Sequence, residues 1–355
     1  MKKPFIKGGK ALTLAAALLC GTAFLGSFMA FGATAQAESQ ASAAGAQAFT
    51  PLVAGQITSC KISGDKQNVE IGFSSSGDVT GTDGNIYVFE MQPYEEELGS
   101  RSNFIASSPA LSAASVSVPL NLGTPQDKLY SRFVLAVFDG TQFTKVSQPH
   151  YITNPELIAR NQTPFNDPLT KKGLVIEIDM LSDAFDLGVK HVTTNIAFSQ
   201  IMGTGITYDY DGVTYNFNKA VVDAYDETIS ALSGKGMTVT VILLNDWNPN
   251  TPDLIYPGTQ KNSNAFYYMF NAETEAGFDQ TKAIASFLAQ HYSGDNPNYG
   301  KVSNWIIGNE INNQQWNYMG SMELTNYVKA YQKAFRVIYT AIKSINASDR
   351  GYFSL

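Results

Sequence analysis

Trp305-Ile306-Ile307-Gly308-Asn309-Glu310 joins a short apolar run to an amide and a carboxylate. An apolar run of this length, preceded by Gly300 and Lys301, predicts a buried strand of a parallel sheet. Parallel sheets carry their chemistry at the carboxyl ends of their strands, where the loops open into a cleft. A glutamate half in apolar surroundings at such a place is suited to donate a proton near neutral pH. Asn309 beside it can hold a substrate hydroxyl. A sugar-cleaving carboxylic acid would sit at Glu310. The plainer alternative is a chance Asn-Glu pair whose glutamate is simply solvated. The next eight residues, Ile311-Asn312-Asn313-Gln314-Gln315-Trp316-Asn317-Tyr318, favour the chemical reading. Amides bond hydroxyls in both directions, and an indole face stacks on the apolar face of a pyranose.

The elements that must position these residues follow an alternating pattern. From about residue 173 onward, helical and strand periods succeed one another, the signature of βα units. Residues 175–187, with Ile178, Leu181 and Phe185 on one face and a stop at Gly188, predict a helix. Residues 189–198 predict a strand carrying Asn195 near its end. Asp211-Gly212 predicts a small hairpin; its Asp-x-Asp-Gly spacing lacks the later ligands of a calcium loop. Asn218 caps a predicted helix closed by Gly234-Lys235-Gly236. Residues 237–244 are a β-branched run, hence a buried strand, ending in Asn245-Asp246-Trp247. A long proline-bearing loop, a helix over 275–292, the strand ending in Glu310, and a long helix capped by Ser321 come next. Residues 352–355 read as the opening of another buried strand, so the chain is expected to be a fragment holding about half of an eight-stranded barrel.

Several residues besides Glu310 are candidates for the site. Trp247, just past a strand end, reads equally as a sugar platform or a lid. Trp316 and Asn313 in the amide loop read as subsite residues. Asn195 and Asn245 either line the same cleft or cap the loops that follow their strands. Trp305, at the other end of its strand, reads as core.

Residues 51–153 show a different texture, with short alternating runs broken by turns and a strong Asp139-Gly140 hairpin signal. Their strand density predicts a β-sandwich of immunoglobulin or fibronectin type, serving either as a spacer or as a carbohydrate binder. Residues 154–172 are a proline-punctuated linker. At the amino end, Lys2, Lys3, Lys7 and Lys10 precede an apolar stretch and Ala35-Gln36-Ala37, which predicts a signal peptide over 1–37. An uncleaved anchor is the alternative, and residues 38–50 read as a flexible leader. The expected location is therefore outside the bacterial cell or on its surface.

Removal of Cys20 with that signal leaves Cys60 alone, so no internal disulfide is expected. The net charge of −7 and the 15% of charged residues argue against nucleic acid and anionic membranes. Eighteen tyrosines and three tryptophans suit a neutral, hydroxyl-rich ligand better. His150, His191 and His291 offer no metal-ligand spacing, and no cofactor is called for.

With these residues in view, the βα half resembles the large clan of retaining glycoside hydrolases built on a (β/α)8 TIM barrel. The resemblance implies that an Asn-Glu pair ends strand four and that its glutamate, here Glu310, is the acid/base. It places strands two, three and four at residues 189–198, 237–244 and 302–310. More closely, the chain resembles the DUF5722 family of secreted bacterial proteins. The matching text is Lys171-Lys172-Gly173, Leu187-Gly188-Val189-Lys190-His191, Ile242-Leu243-Leu244-Asn245-Asp246-Trp247 and the Trp305 to Glu310 run, with Tyr352-Phe353-Ser354-Leu355 as the next strand. The clan's nucleophile belongs at the end of strand seven, beyond the end of this chain. Glu177, Asp246 and Glu323 are carboxylates, but the strand count puts them elsewhere. The expected function is thus glycan hydrolysis, with non-catalytic carbohydrate binding on a degenerate barrel as the alternative.

Overall fold

The computed structural model describes residues 55–76, 81–165, 167–176 and 180–355. The expected signal peptide, anchor and leader, and the carboxylate of Glu177, lie outside the described residues. Where the sandwich is expected there are two antiparallel sheets. One holds β1 (Gly55–Ile62), β2 (Asn68–Ser75) and β5 (Ala114–Pro119) in the order β1-β2-β5. The other runs β4-β3-β6-β7, from β3 (Asn85–Met91), β4 (Ala106–Pro109), β6 (Arg132–Phe138) and β7 (Phe143–Lys145), with β8 (His150–Tyr151) also pairing β6. Val69, Ile71 and Phe73 alternate with outward residues along β2, as a half-buried strand requires. They share one core with Ile86, Val88, Phe133 and Leu135 of the facing sheet. Strand β6 is buried on both sides, because Val134 and Ala136 enter a second cluster with Phe89 and Met91. Cys60 is fully buried, and burial pushes its thiol up to about 12, so it is chemically inert.

The second half is a five-stranded, wholly parallel sheet. Its strands are β9 (Gly173–Val175), β10 (His191–Ala197), β13 (Thr238–Leu244), β14 (Asn304–Ile307) and β15 (Arg350–Tyr352). They lie side by side in chain order, β9 to β15. A doubly wound sheet reverses its order at a switch point; this one does not. It has the winding of a barrel wall. Between strands stand α1 (Leu181–Asp186), α2 (Phe198–Ile201), the hairpin of β11 (Gly205–Tyr210) and β12 (Val213–Asn218), α3 (Lys219–Gly234), α4 (Glu275–His291) and α5 (Leu324–Ile345). No helix among the described residues is long and apolar enough to cross a membrane.

The register divides the sheet into two faces. Val192, Val239, Val241, Leu243, Trp305 and Ile307 point to the helices and are buried with Ile229, Ile284 and Ile338. On the other face Asn195, Ile242, Ile306 and Tyr352 form one row across four strands. That row is only half-buried, and Tyr352 at its end is exposed.

Several boundaries differ from the sequence expectation; the strand expected over 352–355 is β15, which ends at Tyr352, and the strand expected over 189–198 is β10, His191–Ala197. The helix expected over 175–187 yields its start to β9, a three-residue strand too short to show a period, and α1 begins only at Leu181. The strand expected over 302–310 pairs only over Asn304–Ile307, since Gly308 turns the chain with a φ of 77°. Ser321 does not cap α5; the helix starts at Leu324 behind Glu323, without a side-chain cap. The linker is more ordered than its prolines suggest. Asn161 donates its N–H to the Ile345 carbonyl and accepts from the Ala347 N–H.

Candidate functional site

Three adjacent parallel strands deliver their exits to one edge of the sheet. After β13 come Asn245, Asp246 and Trp247; after β14 come Gly308, Asn309 and Glu310; after β15 comes Ser354. The Gly308 N–H still bonds the Leu243 carbonyl at 2.9 Å, so the two exits leave side by side. At its left-handed φ a side chain on Gly308 would be strained, and its Cβ would press on Ile311 at 3.0 Å. The chain then holds Glu310 at a φ of 39°, also left-handed, although it has a full side chain. For such a residue that backbone costs about 1–2 kcal/mol.

Ser354 fixes this turn. Its hydroxyl oxygen accepts from the Glu310 N–H at 2.7 Å and donates to Asn309 Oδ1 at 3.3 Å, and its carbonyl accepts from the Ile311 N–H at 3.0 Å. The sequence gives no local sign of that role, because the contact spans 44 residues. Glu310 itself is exposed, so the half-apolar surroundings expected for it are not present. Its strand ends three residues earlier than the apolar run suggests, and the side chain stands clear of the core.

The other sequence candidates separate into two groups. Trp316 lies between Phe266 and Tyr267, with ring centres 4.9 and 5.9 Å away. Trp247 packs on Tyr268 at 5.3 Å and borders a recess of about 230 Å³ with Asn248, Pro252 and Tyr256. The loops after β13 and β14 are joined by backbone bonds, Phe266 N–H to the Gln315 carbonyl at 2.7 Å and Tyr318 N–H to the Tyr267 carbonyl at 2.9 Å. Both tryptophans thus belong to one aromatic group above the strand exits. Phe266, exposed at 49%, and Tyr267 were missed from sequence, although three consecutive aromatics in a polar loop are a visible signal.

The asparagines serve the backbone more than a cleft. Asn245 is fully buried, and its amide donates to the Leu254 carbonyl at 2.7 Å, bracing the long loop in the manner of a loop cap. Asn313 accepts the Gln315 N–H on Oδ1 and gives its own N–H to the Glu310 carbonyl at 2.7 Å, so it shapes the turn. Asn195 is half-buried in the open face of the sheet, level with Ile242 and Ile306 rather than at the strand end. Asp246, one residue beyond Asn245, accepts from Gln200 Nε2 at 2.6 Å, and burial raises its carboxyl above the ordinary range. Glu323 immediately precedes α5. Among the described residues no group of three or more His, Cys, Asp and Glu is arranged to hold a metal ion.

A parallel, singly wound βα sheet with an asparagine, a glutamate and exposed aromatics at its carboxyl edge defines the class. The family model described as "Family of unknown function (DUF5722)" matches residues 164–355, and the chain belongs to that family. No curated protein matches the sequence. Among solved structures, the chain is similar to the β-glycosidase of the hyperthermophile Thermosphaera aggregans at 15% identity and a TM-score of 0.33, covering 49% of this chain and 42% of that one. It is similar to Thermotoga maritima Cel5A, solved in complex with cellobiose, at 16% identity and a TM-score of 0.29, covering 51% and 44%. A family 39 glycoside hydrolase from Bacteroides cellulosilyticus WH2 matches at 15% identity and a TM-score of 0.31, over 83% of this chain and 51% of that one. The chain therefore spans about half or less of the length of each of these structures.

Proposed function

We propose that this protein is an exported glycoside hydrolase in which Glu310 is the general acid and then the general base. The observation that carries the reading is the left-handed backbone of Glu310 at the exit of the fourth parallel strand, held there by Ser354. A non-glycine residue kept in a costly conformation by its surroundings points to a functional constraint. In this reading Glu310 protonates the glycosidic oxygen as the C–O bond breaks, then takes a proton from the water that completes hydrolysis. Asn309 holds the hydroxyl next to the reacting carbon, and Trp316 and Trp247 stack on neighbouring sugar rings. The second carboxylate required by the mechanism belongs to a seventh strand; the described residues supply five parallel strands. Residues 51–153 form a β-sandwich domain ahead of the barrel domain of 173–355, and residues 1–37 direct export.

One observation favours a second reading, carbohydrate binding without cleavage: Glu310 is exposed rather than half-buried. The two readings part on one experiment. The complete gene product is incubated with β-glucan, xylan, mannan and chitin, and release of reducing ends is followed. Glu310→Gln should lower turnover at least about a hundredfold. Undiminished hydrolysis by that variant sinks the assignment of Glu310, and glycan binding with no reducing ends from either protein supports the second reading.

A further inference from the structure

A cavity of about 340 Å³ lies away from the strand exits, between the antiparallel sheets and the outer surface of α4. Tyr130 and Leu129 come from the sheet side, Tyr210 and Asp211 from the β11–β12 turn, and Phe278, Lys282 and Gln290 from α4. A cleft of this size accommodates one or two sugar rings. Its aromatic wall is fixed. Lys282, only 8% exposed, stands 4.7 Å from the Phe278 ring centre and 5.6 Å from those of Tyr130 and Tyr210.

The polar groups are of two kinds. The cations are already paired: Lys282 with Asp211 at 2.6 Å and Asp279 at 3.4 Å, and Arg160 with Asp295 at 2.8 Å. The Asp127 carboxylate, in contrast, has no ion-pair partner. It accepts only the Gly123 and Leu129 N–H groups, both at 2.8 Å, and burial raises its pKa. Carboxylate oxygens retain lone pairs after one bond each. The Tyr130 hydroxyl stands 3.4 Å from that of Tyr210 and 3.5 Å from Ser286 Oγ, longer than good O–H···O bonds, so these groups keep capacity for a ligand. Gln290 adds an exposed amide at the rim.

Half-buried tyrosines with a carboxylate that lacks an ion-pair partner, hydroxyls and an amide match a neutral, hydroxyl-rich ring. An anionic sugar would meet Asp127 and Asp211 with no cation left unpaired. We infer that this cleft is a second carbohydrate site, taking a neutral sugar residue of an oligosaccharide independently of the strand-end site. The inference rests on the reading above only in taking carbohydrate as the ligand class.

The test is calorimetric titration of the whole chain with cellotetraose, xylotetraose, mannotetraose and tetragalacturonic acid, in the Trp316→Ala background to weaken strand-end binding. At least one neutral tetrasaccharide should bind and the uronate should not. Asp127→Asn should lower that affinity about tenfold and Gln290→Ala at least threefold. Gln290→Ala alters an exposed helix position, and its melting temperature checks that the fold is kept. Loss of all binding in Trp316→Ala alone, with the cleft variants silent, overturns the second site and leaves the glycosidase reading standing. Preference for tetragalacturonate overturns the neutral ligand. No binding of any probe overturns the cleft site, while release of reducing ends, measured separately, judges Glu310.

Discussion

Glu310 pays for its position in backbone conformation, and that gives a prediction independent of any substrate. Glycine adopts a φ of 39° freely, so Glu310→Gly should leave stability unchanged or raise it by up to about 1 kcal/mol in urea unfolding. The same variant should lose hydrolysis. A clear loss of stability would show that the side chain contributes to the fold, and the argument from retained strain would fall. Asn245 makes the opposite case. Its place beside Asp246 and Trp247 reads in sequence either as a cleft residue or as a loop cap, and its amide nitrogen donates to the Leu254 carbonyl inside the loop. The sequence shows that a polar residue ends a strand; which way it turns depends on the loop folded over it, 9 residues further on.

Among the elements, the long helices and the β-branched strands were legible because their periods are long. Helix α3 begins behind Asn218, whose Oδ1 accepts the Val221 N–H at 3.4 Å, as its sequence predicts. Strand β13 follows the apolar run to within one residue of its expected start. Short elements leave no period to read, and for that reason the expected helix includes Val175, the last residue of β9. Helix α4 carries a cap that the sequence reading did not name: Thr274 Oγ1 accepts the Gly277 N–H at 3.2 Å and the Asn271 amide at 2.8 Å. Thr274→Ala should therefore cost about 1–2 kcal/mol, measured as a lower denaturant midpoint at unchanged slope. Because α4 forms one wall of the cleft, a steeper or shallower slope would mean that more than the cap had changed.

At the scale of the whole molecule, a buried acid makes stability depend on pH. Asp349 is 1% exposed, accepts the Trp305 indole N–H at 2.9 Å, and is pushed by burial from 3.8 to about 7. The folded state then binds a proton that the unfolded chain releases between those values. Stability from this group is complete below about pH 4 and is lost as pH rises through 7. The loss is on the order of 4 kcal/mol at about 1.4 kcal/mol per pH unit. Asp349→Asn should flatten the fall in melting temperature between pH 4 and pH 7 relative to the unaltered protein. An equally steep fall in the variant would assign the dependence to other groups. No sequence pattern marks this residue, because its burial comes from β14 and α5 closing over it.

Lys333 of α5 is 7% exposed at its side chain and pairs with both Glu96, from the antiparallel sheets, and Glu273, from the loop before α4. Together with the Asn161 backbone bonds to the end of α5, this makes a seam across position 164, where the match to the family model begins. The unit that is recognisable by descent is therefore smaller than the unit that is held together by packing. A polypeptide cut at that boundary would leave Lys333 with one carboxylate in place of two and strip Phe278 of its neighbours Tyr94 and Tyr130. The antiparallel sheets are part of the scaffold on which the parallel sheet stands.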